Sequence, residues 1–338
     1  MATLCRCASI AVALRLTCPP MPVRLSRLAR RLCACGLSAI ALTIAATPAL
    51  AAISVTDDSG ATVTLQRPAQ RIVSLAPHAT ELLFAAGGGA RIVGTVAYSD
   101  YPPPARDIPH VGDNRSLDLE RIASLKPDLV VVWRHGNAQK QIDRLRALGI
   151  PLFFSEPHRM SDIPRSIEAL GTLLDTRASA HDAAQQFRQR ADTLRQRYAS
   201  RPPVSVFYQV WEQPLMTLNG QHIFSDMLTL CGGRNVFASE PLLVPTVSPE
   251  AVIAANPEVL LTASMGATQG SRPIDTLDAW KRWPQLLAVQ RGNLFTINGD
   301  LINRFGPRLV EAATLLCEDL EQARMRRLGS QTTNGLSR

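Results

Sequence analysis

Two segments of the chain, residues 119–130 and 249–260, repeat one pattern without a gap. Each carries a glutamate at its second position, Glu120 or Glu250, and passes through a proline into an apolar run. An acid in the first turn favours a helix and a proline ends one, so each segment predicts a short helix followed by a buried strand. Any α/β protein can reuse such units, but a gapless match of this length favours two related halves.

Strand and helix patterns alternate through both halves. Short apolar runs predict strands at 71–76, 91–96, 128–133, 152–154, 204–210, 258–262 and 294–297. Stretches with helical spacing lie between them, and a hairpin around 54–65 precedes them. Strands that alternate with helices favour a parallel sheet with helices on both faces. The expected fold class is therefore α/β, with two Rossmann-like lobes, each a central, mostly parallel sheet with flanking helices.

The stretch 161–200 lies between the halves. It contains one proline near its start and one glycine, Gly171, with leucine, alanine and phenylalanine at helical spacing. This predicts one long connecting helix, bent if anywhere at Gly171, between an N-terminal lobe (52–160) and a C-terminal lobe (201–326). The polar residues 327–338 are predicted to form a disordered tail.

The first 51 residues have the plan of a secretory signal. Arginines from Arg24 to Arg31 precede an apolar run, 37–46, and a small-x-small ending, which predicts a cleaved signal peptide covering 1–51. The apolar run is short for a membrane-spanning helix, although a retained anchor is the alternative. Met21 is a second candidate for the translation start. An exported chain of this kind is expected in the periplasm.

The same segment carries most of the positive charge. The chain has a formal net charge of +8, but residues 1–51 hold six arginines and no acid, so the remainder carries about +2. That balance argues against nucleic acid as a partner. With 46% hydrophobic residues among 338, the chain can bury one large core or two modest ones.

Five of the seven cysteines lie in the predicted signal segment. The mature chain keeps Cys231 and Cys317, and two cysteines in an exported protein predict one disulfide. Two free buried thiols are the alternative. A bridge would close a long loop and stabilise the fold by about 4 kcal/mol on the chain-entropy model.

Several motifs occur in a fixed order between about residues 53 and 322. They are Val63-Thr64-Leu65, Arg71-Ile72-Val73-Ser74-Leu75-Ala76-Pro77, Tyr98-Ser99-Asp100-Tyr101-Pro102-Pro103, Trp133-Arg134 with Gly136-Asn137-Ala138, Cys231-Gly232-Gly233, and Pro307-Arg308. In these motifs the chain resembles the helical-backbone, class III periplasmic binding proteins, which serve ABC importers of vitamin B12, haem and iron siderophores. The Tyr-Ser-Asp-Tyr-Pro-Pro and Trp-Arg-x-Gly-Asn-Ala motifs favour the branch that carries corrinoids.

This resemblance implies two α/β lobes joined by a rigid helix, with the ligand cleft between the lobes. It also implies a function: a monomer captures a corrinoid (vitamin B12 or a related cobamide or cobinamide) and delivers it to a dimeric ABC permease of the inner membrane. The corrinoid is then the transported ligand and not a cofactor. Haem or an iron siderophore is the alternative ligand. A secreted enzyme or sensor on this scaffold is the alternative class.

Three residues are the main ligand-binding candidates by resemblance. Tyr98, in a loop after a strand, is similar to the aromatic that stacks on the ligand, and Asp300 and Arg304 resemble the acid and base that hydrogen-bond ligand amides. A corrin is a broad, largely apolar ring edged with amides, so a flat aromatic surface and a few polar rim groups suit it. Without the resemblance, Tyr98 is a packing residue in a proline turn, and Asp300 and Arg304 form an ordinary helix-face pair.

Five further cleft candidates carry less weight. Pro77 and Trp133 follow or end predicted strands, where an aromatic is often simply part of the core. Asn114, Val210 and Val244 stand where the corrinoid-binding branch of the family has aromatics. The stacking surface is therefore expected to be thinner in this chain.

Two other residues bear on the choice of ligand. Trp211 adjoins the valine at position 210, but one step along a strand faces the other side unless a bulge intervenes. His78 is expected at the cleft mouth, either as a ligand of haem iron or as a helix-cap residue.

Glu120 and Glu250 are the candidate docking residues. Considered by itself, each glutamate only makes a favourable interaction with the dipole of the helix in whose first turn it lies. Their equivalent positions in the repeat would present two symmetric charges, which match the two equivalent pockets of a dimeric permease. The resemblance implies docking of this kind.

Motifs of catalysis are missing from the sequence. It has no Gly-x-Ser-x-Gly, no His-Glu-x-x-His and no P-loop lysine motif. The histidines occur singly, which argues against a metallohydrolase or a zinc-capture protein. The chain is therefore predicted to bind and carry a ligand, and no residue is predicted to be catalytic or to bind a metal.

Overall fold

A computed structural model describes residues 52–113, 115–264 and 277–335 of the protein, with side chains through residue 328. The predicted signal peptide, residues 1–51, lies outside the described residues. Within the described part of the chain, every helix is too short or too polar to cross a lipid bilayer.

A hairpin and a four-stranded sheet form the N-terminal lobe. The antiparallel hairpin consists, as predicted, of β1 (Ile53–Thr56) and β2 (Thr62–Leu65). The elements after it are β3 (Ile72–Ser74), α1 (Pro77–Ala85), β4 (Ile92–Gly94), α2 (Leu119–Ser124), β5 (Leu129–Trp133), α3 (Gln139–Ala147) and β6 (Leu152–Ser155). Strands β3 to β6 make one parallel sheet in the order β4-β3-β5-β6.

The segment that follows forms two helices, α4 (Asp162–Leu174) and α5 (Arg177–Tyr198), so the prediction of one long helix is wrong. Asp175 ends α4 in a left-handed backbone conformation, with φ of 55°, and the two helices pack against each other. Gly171 is a contact point and not a bend, because a Cβ added there would lie 2.2 Å from the Cβ of Ala180. Aspartate tolerates the left-handed conformation, so this chain reversal needs no glycine or proline at the break.

The C-terminal lobe repeats the architecture of the first. Its elements are β7 (Val204–Gln209), α6 (Ile223–Leu230), β8 (Gly233–Asn235), α7 (Pro249–Ala255), β9 (Val259–Ser264), α8 (Leu287–Gln290), β10 (Leu294–Asn298), α9 (Gly299–Ile302) and α10 (Leu309–Gly335). Its strands form a parallel sheet in the order β8-β7-β9-β10, the order of the first lobe. The predicted fold class, two parallel-sheet α/β lobes with flanking helices, is confirmed.

The repeated sequence pattern corresponds to repeated local structure. Lys126 and Asn256, at matched positions after α2 and α7, both have a left-handed backbone, with φ of 48° and 42°. The next matched pair of acids, Asp128 and Glu258, each accept a backbone N–H from the start of the neighbouring strand region of their own lobe. The two copies therefore share their helix ends and the way each strand is joined to its neighbour.

Helix α5 lies between the lobes. It packs against α1 and α4 on one side and against α6 and α10 on the other. Its buried side chains, such as Ala184, Phe187 and Ala191, belong to one apolar core that runs through both lobes. Each lobe has a second, smaller core on the opposite face of its sheet. The shared core makes the junction of the two lobes a packed interface.

The last helix extends beyond its predicted end. Helix α10 continues to Gly335, so the disordered tail predicted from residue 327 is wrong up to that point, and residues 336–338 lie outside the described residues. Arg324, Arg326 and Arg327 donate hydrogen bonds to backbone oxygens and one carboxylate of the C-terminal lobe. Of these arginines only Arg327 lies in the segment that composition alone assigns to a tail, and its two bonds hold the start of that segment against the lobe.

The predicted disulfide is present. It joins Cys231, at the end of α6, to Cys317 in α10, and the two residues are 86 positions apart in the sequence. Both cysteines are fully buried. The bridge attaches the last helix to the rest of the C-terminal lobe.

Candidate ligand-binding site

Arg304 is the centre of a group of charges where the lobes meet. It follows α9 in the C-terminal lobe, and its side chain is only 10% exposed. Its Nη1 donates to Oδ1 of Asp100 at 2.6 Å, and its Nη2 donates to Oδ1 of Asp300 at 2.8 Å. Asp100 belongs to the loop after β4 in the other lobe. The predicted neighbours Asp300 and Arg304 are therefore brought together with a third residue that the sequence analysis did not assign.

Arg308 makes a second connection between the lobes. Its Nη2 and Nε donate to the two carboxylate oxygens of Glu81 at 2.6 and 3.0 Å, and its guanidinium lies 3.9 Å from the ring centre of Tyr101. The Glu81 side chain, on α1, is 2% exposed. We call Glu81, Asp100, Asp300, Arg304 and Arg308 the interlobe charge cluster.

Burial and pairing act in opposite directions on the pKa values of this cluster. Burial lowers the pKa of Arg304, but the hydrogen bond that Arg304 donates to Asp100 and the nearby acidic charges outweigh burial and raise it. Burial raises the pKa of Asp100, yet its hydrogen bond to Arg304 brings the pKa below the ordinary value. For Glu81 burial prevails and raises the pKa of the carboxyl, against the opposing effect of Arg308. The arginines stay cationic and Asp100 stays anionic at neutral pH.

Tyr98 projects from the same loop as Asp100. Its side chain is 76% exposed, and its backbone is left-handed, with φ of 67°. That conformation costs an aromatic residue about 1–2 kcal/mol, so the surrounding structure must hold it. The next residue, Ser99, is buried and bonds through its N–H to the oxygen of Val96. The loop thus presents an exposed aromatic ring two residues from the acid that pairs with Arg304.

Trp133 is held by the residues that follow it. It ends β5 and is partly buried. Gly136 lies against the indole, since an added Cβ would come within 1.8 Å of a ring carbon. The buried side chain of Asn137 accepts from the backbone N–H of Trp133 at 2.8 Å and donates to the backbone oxygen of Leu75 at 3.0 Å. The Trp-Arg-x-Gly-Asn-Ala motif is therefore a support for this indole, next to Pro77 at the start of α1.

His78 lies beneath Trp133 and not at the cleft mouth, so its predicted position is wrong. It lies in the first turn of α1 and is 3% exposed. The centre of its ring is 5.5 Å from that of Trp133, in an edge-on arrangement, and 6.4 Å from that of Phe305. His222, from the other lobe, packs on Phe305 at 5.3 Å. Burial lowers the pKa of each imidazole to about 4. Two neutral imidazoles thus flank one phenylalanine at the junction of the lobes.

Two loops of the C-terminal lobe carry the remaining candidates. Val210 and Val244 are 39% and 38% exposed, and backbone bonds join their loops, including the bridge between Met216 and Thr246. Trp211 is 55% exposed. Trp211 and its neighbour Val210 are therefore both accessible to solvent, although successive residues of a regular strand face opposite sides. The remaining candidate, Asn114, lies outside the described residues.

One exposed apolar residue in these loops was missed. Leu242 is 66% exposed and belongs to the segment that pairs with the strand-like stretch after Trp211. A Pro-Leu-Leu-Val-Pro run between polar residues is the sequence signal that could have drawn attention to it.

Glu120 and Glu250 occupy matching places on the two lobes. Each is exposed in the first turn of its helix, behind an N-cap side chain, Asp118 or Ser248, that accepts a backbone N–H. Among the described residues neither glutamate forms an ion pair. The first-turn N–H of Glu250 and the hydroxyl of Ser248 lower the pKa of the Glu250 carboxyl. Both charges are available at the surface.

A metal site in a protein requires several ligating side chains close together. The described part of the chain contains no group of three or more histidine, cysteine or acidic side chains that could hold an ion. The polar groups at the junction of the lobes are instead paired acids and arginines.

Comparison with known proteins points to one family. A model of periplasmic binding proteins matches residues 72–301. The chain is 38% identical to the vitamin B12-binding protein of Vibrio cholerae serotype O1 over 257 residues, which is 76% of this chain and 91% of that protein. It is 40% identical to the vitamin B12-binding protein of Yersinia pestis (strain Pestoides F) over 253 residues, 75% of this chain and 86% of that one.

Solved structures agree with the sequence comparison. The crystal structure of the periplasmic vitamin B12 binding protein BtuF of Vibrio cholerae superposes with a TM-score of 0.68 at 38% identity, over 76% of this chain and 98% of that one. The apo periplasmic heme-binding protein RhuT from Roseiflexus sp. RS-1 superposes with a TM-score of 0.65 at 25% identity, over 75% and 98%.

Proposed function

The chain belongs to the periplasmic binding protein family, and we propose that it captures a corrinoid, such as vitamin B12, between its lobes and delivers it to an ABC importer of the inner membrane. A periplasmic location follows from the family, and relatives of 38–40% identity bear the name vitamin B12-binding protein. In this proposal residues 1–51 are the cleaved signal peptide, and the protein acts as a monomer without catalysis.

The observation that carries this proposal is the exposed ring of Tyr98 beside half-exposed carboxylates. Tyr98 is 76% exposed, and the side chains of Asp100 and Asp300 are each 48% exposed. A corrin ring offers a flat apolar face for stacking and a rim of primary amides whose N–H groups can donate to carboxylate oxygens. Arg304, held between the two acids, fixes the direction of both acceptors.

The other candidate residues extend the contact surface. Trp133 and Pro77 lie at the carboxyl ends of neighbouring strands of the N-terminal sheet, where ligands of open α/β sheets bind. Val210 and Val244 give the C-terminal wall an aliphatic surface, to which the exposed Trp211 adds an aromatic one. This chain would therefore bind its corrinoid with fewer stacking rings than its relatives.

Delivery is proposed to use Glu120 and Glu250. Their positions are related by the internal repeat, and both carboxylates are exposed. A dimeric permease presents two copies of one surface, so one acid on each lobe can engage both copies at once. Each glutamate stands in the first turn of a helix whose N-terminus is capped by a side chain.

Titration of the purified mature protein with cyanocobalamin, dicyanocobinamide and hemin, by calorimetry and visible spectroscopy, tests the proposed ligand. We expect both corrinoids to bind. Tyr98→Ala should weaken binding by about tenfold, the size of one lost aromatic stacking contact, and Tyr98→Phe, which keeps the ring, should not. Binding of hemin without binding of either corrinoid would overturn the proposal in favour of haem transport.

A further inference from the structure

We propose that Asp100 makes the cleft selective against anionic ligands, because it pairs with Arg304 from the opposite lobe and leaves carboxylate oxygens facing the ligand. This inference rests on the proposed function, since it takes the ligand to be a corrinoid. It adds to that function a rule about charge: fully amidated corrinoids are accepted, and corrinoids or other macrocycles with free carboxylates are rejected.

The exposure of the charged side chains decides which sign of charge faces an incoming ligand. The side chain of Arg304 is 10% exposed, whereas those of Asp100 and Asp300 are each 48% exposed. Both terminal nitrogens of the guanidinium already donate to these acids, at 2.6 and 2.8 Å. An incoming ligand therefore meets the acids first and the arginine hardly at all.

The second arginine of the interlobe charge cluster is paired as well. Arg308 donates two hydrogen bonds to Glu81 and lies over the ring of Tyr101. The cluster thus sets three carboxylates against two guanidinium groups. Arg106, an exposed neighbour, donates its Nε to the backbone oxygen of Asp100 at 3.1 Å and not to the carboxylate.

Carboxylates and amides make opposite demands on such a site. An ionised carboxylate only accepts hydrogen bonds, so Asp100 and Asp300 can bind the N–H groups of a ligand amide. A ligand carboxylate in the same place has no proton to donate and stands within about 4 Å of like charge. At a partly exposed protein site this repulsion corresponds to a loss of affinity of about tenfold to hundredfold.

Asp100 is the member of the cluster whose replacement isolates the effect. Asp300 is four residues from Arg304 in the same lobe, whereas Asp100 reaches Arg304 across the lobe junction. Asp100→Asn keeps the shape and one acceptor oxygen but removes the charge, which leaves the positive charge of Arg304 less compensated. Asp107→Asn removes an exposed acid from the same loop without touching Arg304 and is the matched control.

The test compares cyanocobalamin, its monocarboxylate (one side-chain amide hydrolysed) and hemin as ligands of the wild type and both variants. We expect the wild type to bind cyanocobalamin at least about tenfold more tightly than the monocarboxylate. Asp100→Asn should reduce this affinity ratio about tenfold, mainly because the monocarboxylate binds more tightly. The difference between the variant and the wild type should become smaller as salt is added. Asp107→Asn should leave the ratio as in the wild type.

The outcomes separate this inference from the function it rests on. Equal affinity of the wild type for amide and acid, or an equal loss for both ligands in Asp100→Asn, overturns the charge selection while corrinoid binding stands. No corrinoid binding by the wild type overturns the proposed function instead. In that case the hemin titration still decides the role of Asp100, since an unchanged hemin affinity in Asp100→Asn refutes it.

Discussion

Replacing His78 with phenylalanine is expected to make the protein less sensitive to acid. Burial lowers the pKa of His78 to about 4 from an ordinary value of 6.5. Between these values the unfolded chain binds a proton that the folded protein does not. The stability that the neutral imidazole contributes is therefore complete above pH 6.5 and is lost as the pH falls towards 4. From pH 7 to pH 5 this loss is about 1.8 kcal/mol.

Urea unfolding of the wild type and His78→Phe at pH 7 and pH 5 measures this loss. Other titrating groups, including His222, contribute equally to both proteins, so their effects cancel in the difference. The cost of the lost imidazole contacts is the same at both pH values and cancels too. We expect the difference in the free energy of unfolding to move in favour of the variant by about 1.8 kcal/mol at pH 5.

The choice of phenylalanine and a surface control make this result interpretable. A benzene ring keeps the edge contact with Trp133 and the neighbourhood of Phe305 without a titratable group. His110→Phe, at an exposed position, shows what the same replacement does away from the junction. A difference between wild type and His78→Phe that changes by less than about 0.5 kcal/mol from pH 7 to pH 5 would refute the idea that burial keeps His78 neutral.

The remaining predictions concern delivery and the disulfide. The double variant of Glu120 and Glu250 to alanine should abolish ligand uptake by cells while the purified protein keeps its ligand affinity. The control, the double alanine variant of the exposed acids Asp182 and Glu318, should keep both uptake and affinity, and normal uptake by the first variant would refute the docking role. Replacing both disulfide cysteines with serine should lower the free energy of unfolding by about 4.6 kcal/mol, the loop-closure value for the separation of 86 positions, and should make urea unfolding insensitive to reductant. A loss below about 1 kcal/mol would contradict the chain-entropy account.

The fold follows from sequence periodicity where the structure is local. The strands and short helices of both lobes depend on runs of apolar residues and on prolines and glycines at their ends, all of which are visible in the sequence. The break between α4 and α5 depends on one left-handed aspartate, Asp175, and leaves no such mark. The extension of α10 beyond residue 326 is accompanied by hydrogen bonds from Arg327 to Pro203 and Glu258, which are far away in the chain, so composition alone does not reveal it.

The site divides in the same way. Tyr98, Asp300 and Arg304 were predicted through the family resemblance; in the structure Arg304 pairs with Asp300 and Asp100, and Tyr98 precedes Asp100 by two residues. The partners of the two arginines are separated from them by 204 and 227 positions, a pairing that no local pattern indicates. Asp100 and Arg308 do occur in the Tyr-Ser-Asp-Tyr-Pro-Pro and Pro-Arg motifs, so the sequence marked these positions without revealing that they pair across the lobes.

Three links between the lobes, all among the described residues, bear on how much the lobes can move when a ligand binds. They are the shared core along α5, the interlobe charge cluster, and the hydrogen bond from the N–H of Met160 to the carboxylate of Asp226 at 2.8 Å. A joint of this kind limits the change of shape on binding, so little of the binding free energy is lost to ordering the lobes. Discrimination between ligands is then expected to depend on groups that are already in place, because these links oppose a large closure of the lobes around the ligand. We therefore expect the charge of Asp100, held by Arg304, to have a direct effect on which macrocycle the proposed site binds.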